Sequence, residues 1–423
     1  MLQVNYIREH KEEVIKRLAI KNFDGKAMIE NIIELDNNRR KVQNEMDTLL
    51  NEANVLAKQV GDLFKSGKTA EANELKNKSA ALKESTNALK EQLAAREEEL
   101  TKVLLVIPNL PHASVPKGKT PQDNEVVSQE GSIPELHEKA KPHWELTTQY
   151  DLIDFELGVK LTGAGFPVYK GKGARLQRAL INFFLDQATA AGYHEIQPPI
   201  LVNEASGYGT GQLPDKEGQM YHVGLDNLYL IPTAEVPITN IYRDVILKTE
   251  DFPIKNTGYT PCFRREAGSY GKDVRGLNRL HQFDKVEIVQ VQHPDKSYET
   301  LENMLAYVCG LLRALELPFR VLRLCGGDMS FASALTYDLE VFSAAQKKWL
   351  EVSSVSNFET FQSNRLKLRF KDSDQKTQLA HTLNGSALAL PRIVASLLEN
   401  NQTPDGIKIP AALVSYTGFD WIK

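Results

Sequence analysis

At 423 residues and a formal net charge of −4, the chain has room for two or three domains and no overall pull toward polyanions, so any nucleic-acid contact must be a local patch. It is 42% hydrophobic and 25% charged, ordinary for a water-soluble globular protein, and it has no apolar run long enough to span a membrane. Cys262, Cys309 and Cys325 lie far apart without the spacing of a zinc or redox motif, and the N-terminal MLQVNYIREHKEEVIKR lacks the apolar centre of a signal peptide, so buried or free thiols in a reducing cytoplasm are expected.

From Val42 the apolar positions Val42, Met46, Leu49, Ala53, Leu56, Val60 and Leu63 alternate steps of four and three, a heptad seam. The pattern breaks at Lys65-Ser-Gly-Lys-Thr69, where Gly67 can turn the chain. It resumes at Leu75, Ser79, Leu82, Thr86, Leu89, Leu93, Arg96, Leu100 and Val103, weakened by Ser79, Thr86 and Arg96. No proline precedes Ile107. The spacing predicts two long helices in an antiparallel coiled-coil hairpin over about residues 27–105, the first helix running from near Lys26 to near Phe64, roughly 55–60 Å of rod. Such a hairpin buries only a thin seam and should protrude. It reads either as a spacer or dimerisation coil or, given lysines 58, 65, 68, 76 and 78 near the tip, as a grip for an anionic partner.

Pro108, Pro111 and Pro116 make residues 107–118 a stiff linker between an arm (1–106) and a globular body (119–423). In the body, residues 174–191 carry an apolar stripe at 176, 179, 180, 183 and 184 and stop at Gly192, an amphipathic helix. Residues 285–291 read as a strand, and 392–400 as a C-terminal helix. Helices and strands do not alternate regularly, which predicts an α+β fold on an antiparallel sheet. Neither GxxxxGK[ST] nor GxGxxG occurs, so a nucleotide would not sit in a P-loop or Rossmann site.

Basic residues crowd into PCFRREAGSYGKDVRGLNRLHQFDKVE, residues 261–287, where Arg264, Arg265, Lys272, Arg275, Arg279 and Lys285 fall together in an acidic protein. On an extended strand Arg264 and Glu266 share a face, either to grip a phosphate and a neighbouring amine or simply to form a salt bridge. Phe283 and Glu287 also share parity: a flat ring for a base and an acceptor for a small polar group, or core and edge charge. Thr233-Ala234-Glu235 sets a hydroxyl and a carboxylate after the apolar Leu228–Ile231, though Thr233 could equally cap a helix. Glu351-Val352-Ser353-Ser354 offers oxygen ligands suited to Mg²⁺. Thr382-Leu-Asn-Gly-Ser386 leads into an apolar helix with Arg392 in its first turn, an anion site or a surface arginine.

Singly these are weak signals, but their order is specific. An amphipathic helix running into Pro198-Pro199, then TAE, FRxE with Phe283 downstream, ExxS, and NGS followed by Arg392 resemble the three motifs of class II aminoacyl-tRNA synthetases, and among them the bacterial type of seryl-tRNA synthetase, over the whole chain. The resemblance implies a six- to seven-stranded antiparallel sheet with flanking helices, a cytoplasmic homodimer whose interface uses residues 174–199, and ATP-dependent attachment of L-serine to serine tRNA through a seryl-adenylate. It implies catalytic roles for Arg264 and Arg392, and ATP binding by Arg264, Arg265, Glu266, Phe283, Glu351, Val352, Ser353, Ser354 and Arg392. Serine would meet Thr233, Ala234, Glu235, Arg264, Glu287 and Ser386, and Glu351 with Ser354 would hold Mg²⁺. The hairpin would take the long variable arm of serine tRNA, and selenocysteine tRNA, where present, would be a second substrate. Where the family has GLAVGR or close to it, this chain has ALALPR at 387–392; Pro391 predicts a helix that begins at Leu390–Pro391 with Arg392 still in the first turn. Two rival readings fit parts of the same pattern: a related ligase that loads a carrier other than tRNA, against which the hairpin argues, and a non-catalytic coiled-coil protein, against which Arg264, Glu266, Phe283, Glu351 and Arg392 argue.

Overall fold

The computed structural model describes residues 1–423 except Lys216 and residues 268–274. The chain divides into two compact units, one of Leu2–Ala19 and Phe23–Pro108, the other of Met1, Ile20–Asn22 and Asn109–Lys423.

The first unit is helical: α1 (Val4–Glu9), α2 (Lys11–Ile20), α3 (Lys26–Lys65) and α4 (Thr69–Leu104). Ile7, Val14 and Leu18 are fully buried, as are Ile29 and Ile32 in the first turns of α3. Asp36 is buried beside them and answered by Arg8 at 3.3 Å and Arg39 at 2.8 Å. Further out, α3 and α4 pair only along the heptad seam. Every expected position from Val42 to Leu63 is half-buried while most of its neighbours are exposed, and Thr86, Leu89, Leu93 and Leu100 are buried opposite. Gly67 turns the chain at φ 77°, a conformation that costs other residues. Arg96 leaves the seam for solvent and pairs with Glu99 at 3.2 Å, as its charge requires.

The second unit is built on an eight-stranded sheet. Its strands are β1 (Glu125–Glu130), β2 (His194–Glu195), β4 (Ile254–Phe263), β5 (Gln282–Gln292), β6 (Phe319–Arg323), β7 (Leu335–Ser343), β8 (Lys348–Asn357) and β9 (His381–Ala389), in spatial order β1-β6-β7-β8-β9-β5-β4-β2. A separate short strand, β3 (Leu228–Leu230), belongs to a small sheet of its own. The sheet therefore has more strands than the resemblance implied, and it is not wholly antiparallel: β2 pairs with β4 in parallel, because the chain reaches β4 through a long excursion rather than a tight turn.

Seven helices bear on the core and the site: α5 (His143–Gln149), α6 (Gly171–Ala190), α7 (Glu235–Asn240), α8 (Ser297–Ala314), α9 (Phe361–Leu366), α10 (Leu390–Asn400) and α11 (Ala411–Thr417). The stripe expected on α6 is buried at Leu176, Ala179, Leu180, Phe183 and Phe184. Together with α8 and α10 it covers one face of the sheet, where Val286, Ile288, Val355 and Leu339 meet Val308, Leu312, Val394 and Leu398 in one continuous core. Because α11 follows, α10 is not the last helix, contrary to the reading of 392–400 as C-terminal. Among the described residues no helix is long and apolar enough to cross a membrane. Phe184 is 0% exposed in the centre of this core. Its replacement by alanine should cost about 3–5 kcal/mol in urea unfolding followed by tryptophan fluorescence; a loss below about 1 kcal/mol would show that the core is not packed as described.

Candidate active site

The opposite face of the sheet carries the chemistry, and strand register shows why. Phe283, Lys285 and Glu287 alternate along β5, so all three point the same way. Residues directly opposite across a ladder share a face, which adds Cys262 and Gly258 on β4 and Ser386 on β9. Ser354 lies on this face too, since its neighbour Val355 pairs with Gly385 and Gly385 pairs with Ile288, all on the other side. Glu351 stands three residues before Ser354, which on a regular strand would put it on the wrong face. A bulge corrects this. Leu339 pairs with Ser353 while Glu340 pairs with Glu351, so Val352 is an extra residue. Asp338 opposite Ser354 and Glu340 opposite Glu351 then bring both residues of the expected metal pair to the same side.

A buried charge cluster lies at the centre. Lys285 Nζ is 2.6 Å from a Glu287 carboxylate oxygen and donates to Thr233 Oγ1 at 2.9 Å, while the Thr233 hydroxyl donates to Glu287 at 2.9 Å. Thr233 follows β3 and Pro232. It is not the cap of α7: the fully buried Ala234 takes that position, although Thr233 Oγ1 also accepts from the Glu235 amide at 3.2 Å. Glu235 opens α7 and accepts from Gln362 Nε2 of α9 at 2.6 Å; Gln362 in turn accepts from Thr382 at 2.7 Å. Thr233, Glu235, Lys285 and Glu287 are all buried. Two carboxylates thus share one lysine. Burial first, and then the Glu287 carboxylate, push the Glu235 carboxyl up to about 7.

Next to the cluster, Arg264 leaves the end of β4. Its Nε donates to Pro232 O at 3.4 Å and its guanidinium lies 5.3 Å from the Phe283 ring centroid. The expectation that Arg264 and Glu266 project from one strand is corrected here. β4 ends at Phe263, and Glu266 has φ 51°, so the backbone has turned before it. The turn instead brings Glu266 to Arg279, at 2.6 Å. Arg265 points elsewhere, over the Tyr221 ring at 5.4 Å, with its amide donating to Gln219 O at 2.8 Å. Lys272 lies outside the described residues.

Across β8, Ser354 donates to Asp338 at 2.5 Å. Burial, and then the nearby Glu351 carboxylate, hold the Asp338 carboxyl well above the usual carboxylate range. The Glu351 carboxylate itself lies 3.7 Å from Arg392 NH1, and two carboxyl groups with a hydroxyl fit a hard divalent cation that takes its remaining ligands from phosphates and water. Among the described residues no group of three or more His, Cys, Asp or Glu forms a ready-made metal site. Val352 and Ser353 are buried, and Ser353 Oγ donates to Ser386 O at 2.7 Å, tying β8 to β9.

Arg392 sits in the first turn of α10, which begins at Leu390 with Pro391 just inside, as the proline dictates. Its NH1 donates to Glu351 O at 2.7 Å and its Nε to Asn278 O at 3.1 Å. A second bulge prepares this placement: Glu287 pairs with Ser386 but Lys285 with Ala389, and within the extra stretch Leu388 takes φ 74°. A bulky residue there is unusual, and the strain turns the strand into the helix.

The expected residues Thr233, Ala234, Glu235, Arg264, Glu266, Phe283, Glu287, Glu351, Ser354, Ser386 and Arg392 therefore come from β5, β8, β9, the turn after β4, the start of α7 with the residues before it, and the first turn of α10, elements that are neighbours in the fold. Of the other expected ATP contacts, Arg265 turns toward Tyr221, Val352 is the bulged residue, and the Ser353 side chain, paired with Leu339, faces the core side of the sheet. Two further residues belong to the site that sequence reasoning misses. Lys285 carries a usable signal, its parity with Phe283 and Glu287. Asp338 carries none, because only the register of β7 against β8 joins it to Ser354.

Two family models match the chain: the seryl-tRNA synthetase N-terminal domain over residues 1–111, and the tRNA synthetase class II core domain (G, H, P, S and T) over residues 221–401. The chain is 50% identical to a serine–tRNA ligase of Salinibacter ruber, covering 99% of this chain and 98% of that protein. Its fold matches a crystal structure of seryl-tRNA synthetase from Pyrococcus horikoshii complexed with ATP at a TM-score of 0.91 and 33% identity, over 100% of this chain and 99% of that one. It also matches the cytoplasmic serine–tRNA ligase of Naegleria fowleri in complex with AMP at a TM-score of 0.85 and 26% identity, over 100% and 99% of the two chains.

The charge cluster makes a prediction of its own. In carboxyl ¹³C NMR, Glu235 should titrate near pH 7, and Lys285→Met should move the midpoint higher, since the lysine favours the ionised form. A carboxyl raised in the folded state adds stability below its unfolded value of 4.5, and that contribution is lost as pH rises through about 7. A midpoint near 4.5 would contradict the burial and crowding described.

Proposed function

The chain belongs to the seryl-tRNA synthetases within the class II aminoacyl-tRNA synthetases, ligases that charge tRNA with serine, and on that premise we propose how this site performs the reaction. The observation that carries the reading is the buried Thr233–Lys285–Glu287–Glu235 cluster beside Arg264: a pocket for an ammonium and a hydroxyl next to a cation that receives an anion.

Serine enters with its ammonium toward Glu235, Thr233 and Ala234 and its hydroxyl toward Glu287 and Ser386. The ammonium supplies the second positive charge that two buried carboxylates lack, which is where binding energy comes from. A buried acceptor built for a hydroxyl is left unpaired by alanine, a discrimination of up to ~10⁴–10⁵. ATP lies across Phe283, with Glu266 moving from Arg279 to the adenine amine and Arg265 bordering the nucleotide. Arg392 takes the γ-phosphate, and the backbone at Val352 and Ser353 lies below. Glu351 and Ser354, with Asp338 behind them, would hold Mg²⁺, which when bound neutralises phosphate charge.

The serine carboxylate attacks the α-phosphorus, and the bond to the bridging oxygen breaks as pyrophosphate leaves with its electron pair. Arg264 holds the serine carboxylate and the α-phosphate together and stabilises the charge that builds on phosphorus, a preorganised electrostatic contribution. No side chain acts as nucleophile. A terminal ribose hydroxyl of tRNA then attacks the carbonyl of seryl-adenylate, and AMP leaves. Residues 27–105 grip the long variable arm of serine tRNA through lysines such as Lys65 and Lys68, so affinity depends on salt. The domains are then the arm (1–106), the linker (107–118) and the catalytic body (119–423). The enzyme works as a cytoplasmic homodimer around residues 174–199, and serylates selenocysteine tRNA where that tRNA is present.

Serine-dependent ATP–pyrophosphate exchange tests this. Full-length protein exchanges, deletion of residues 30–105 keeps exchange but loses tRNA charging, and Arg264→Ala lowers exchange at least ~10²-fold. Absence of serine-dependent exchange defeats the enzyme reading, and normal charging by the deletion defeats the arm reading. The KM for serine should rise as pH falls below about 7, because protonated Glu235 no longer attracts an ammonium; a KM that is flat from pH 8 to 6 would remove Glu235 from serine binding.

A further inference from the structure

We propose that His143, backed by Glu399, is a positioning residue for the nucleotide: it anchors the end of the loop that returns from β4 to β5, and through that loop it aims Arg392. The inference rests on the reading of Arg392 and this loop as ATP-binding. His143 opens α5 and Glu399 lies near the end of α10, far apart in sequence, and both side chains are 0% exposed.

Their geometry fixes the imidazole at both nitrogens. The Leu277 amide lies 2.8 Å from His143 Nε2. An amide nitrogen only donates, so Nε2 carries no hydrogen and the ring hydrogen is on Nδ1, facing Glu399 Oε1 at 2.6 Å. Glu399 is itself held in place. Its Oε1 accepts from the His143 amide at 2.8 Å and from Gln346 Nε2 at 2.9 Å, and its Oε2 accepts from the Ser343 hydroxyl. A buried ionisable pair adds little stability beyond an apolar pair of the same size. What this one adds is direction: a bare ring nitrogen aimed at one loop amide.

The loop side is equally specific. Gly276 has φ 64°, and a Cβ there would fall 2.2 Å from His143 Nε2, so the backbone lies directly against the ring in a way that only glycine permits. Arg275 stacks over Trp144, the neighbour of His143, at 5.4 Å. Asn278 donates to Gln346 at 3.0 Å, and its carbonyl accepts from Arg392 Nε at 3.1 Å. Residues 275–278 are thus held one after another, and the last of them positions the arginine. The network leads to Arg392 on the nucleotide side of the site, whereas Thr233, Lys285 and Glu287 bond to one another and Glu235 to Gln362.

The test is the split between substrates. In serine-dependent pyrophosphate exchange, His143→Leu should raise the KM for ATP about tenfold while the KM for serine stays within about twofold, the effect of one lost hydrogen bond confined to one substrate. His143→Gln, whose side-chain oxygen can replace Nε2 as acceptor, should restore most of the ATP affinity. Gly276→Ala keeps both His143 and Glu399 in the chain but sets a Cβ against the ring, so it should push the loop off His143 and give the same ATP-selective rise, which keeps the test available should His143→Leu not fold. Hydrogen exchange at the Leu277 amide should be at least about tenfold faster in His143→Leu than in the wild type, and slow again in His143→Gln. Equal rises in both KM values, an unchanged KM for ATP in Gly276→Ala, or a Leu277 amide that exchanges alike in all variants would overturn the proposal. The exchange measurement at Leu277 needs no activity, so failure of the anchor is distinguishable from failure of the enzymatic reading.

Discussion

Two carboxylates, Glu235 and Glu287, are buried around a single lysine, and much of the catalytic unit can be understood as what is needed to hold them there. Ionising Glu235 beside Glu287 costs about 3 kcal/mol, from its displacement to about 7. The fold tolerates this because each carboxylate has donors: Lys285 and Thr233 for Glu287, Gln362 for Glu235. The cost is also useful. On the proposed reading, a site short of one positive charge favours a ligand that brings an ammonium, and the adjoining Arg264 favours the carboxylate of the same ligand.

The sheet delivers these groups by parity, and the bulges repair parity where it fails. Without the extra residue at Val352, Glu351 would face the apolar core. Without the distortion around Leu388, β9 could not place Ser386 opposite Glu287 and still deliver Arg392 to Glu351 and Asn278. Both of these irregularities lie where strands turn into the site, and the other face of the same sheet packs α6, α8 and α10.

How much is legible in the sequence depends on the range of the interactions. The hairpin helices are readable because a heptad seam and a glycine turn are local, and α10 begins where Pro391 requires. That Arg264, Phe283 and Glu287 gather at one place follows from the order of motifs. The end of β4 at Phe263, the parallel strand β2, the partnership of Asp338 with Ser354 and the place of His143 are not, because each depends on pairing between segments distant in sequence. Lys285 is the exception: its alternation with Glu287 is local, yet the basic loop around it disguises it as one more surface cation.

The central claim is that the buried cluster reads serine while Phe283 and the arginines read ATP. A crystal structure with a nonhydrolysable seryl-adenylate analogue tests it most directly. The account predicts the seryl ammonium within hydrogen-bond distance of Glu235 and Thr233, the hydroxyl on Glu287, and the base stacked on Phe283. An analogue bound with its ammonium in solvent, or with the seryl group away from Lys285 and Glu287, would contradict it.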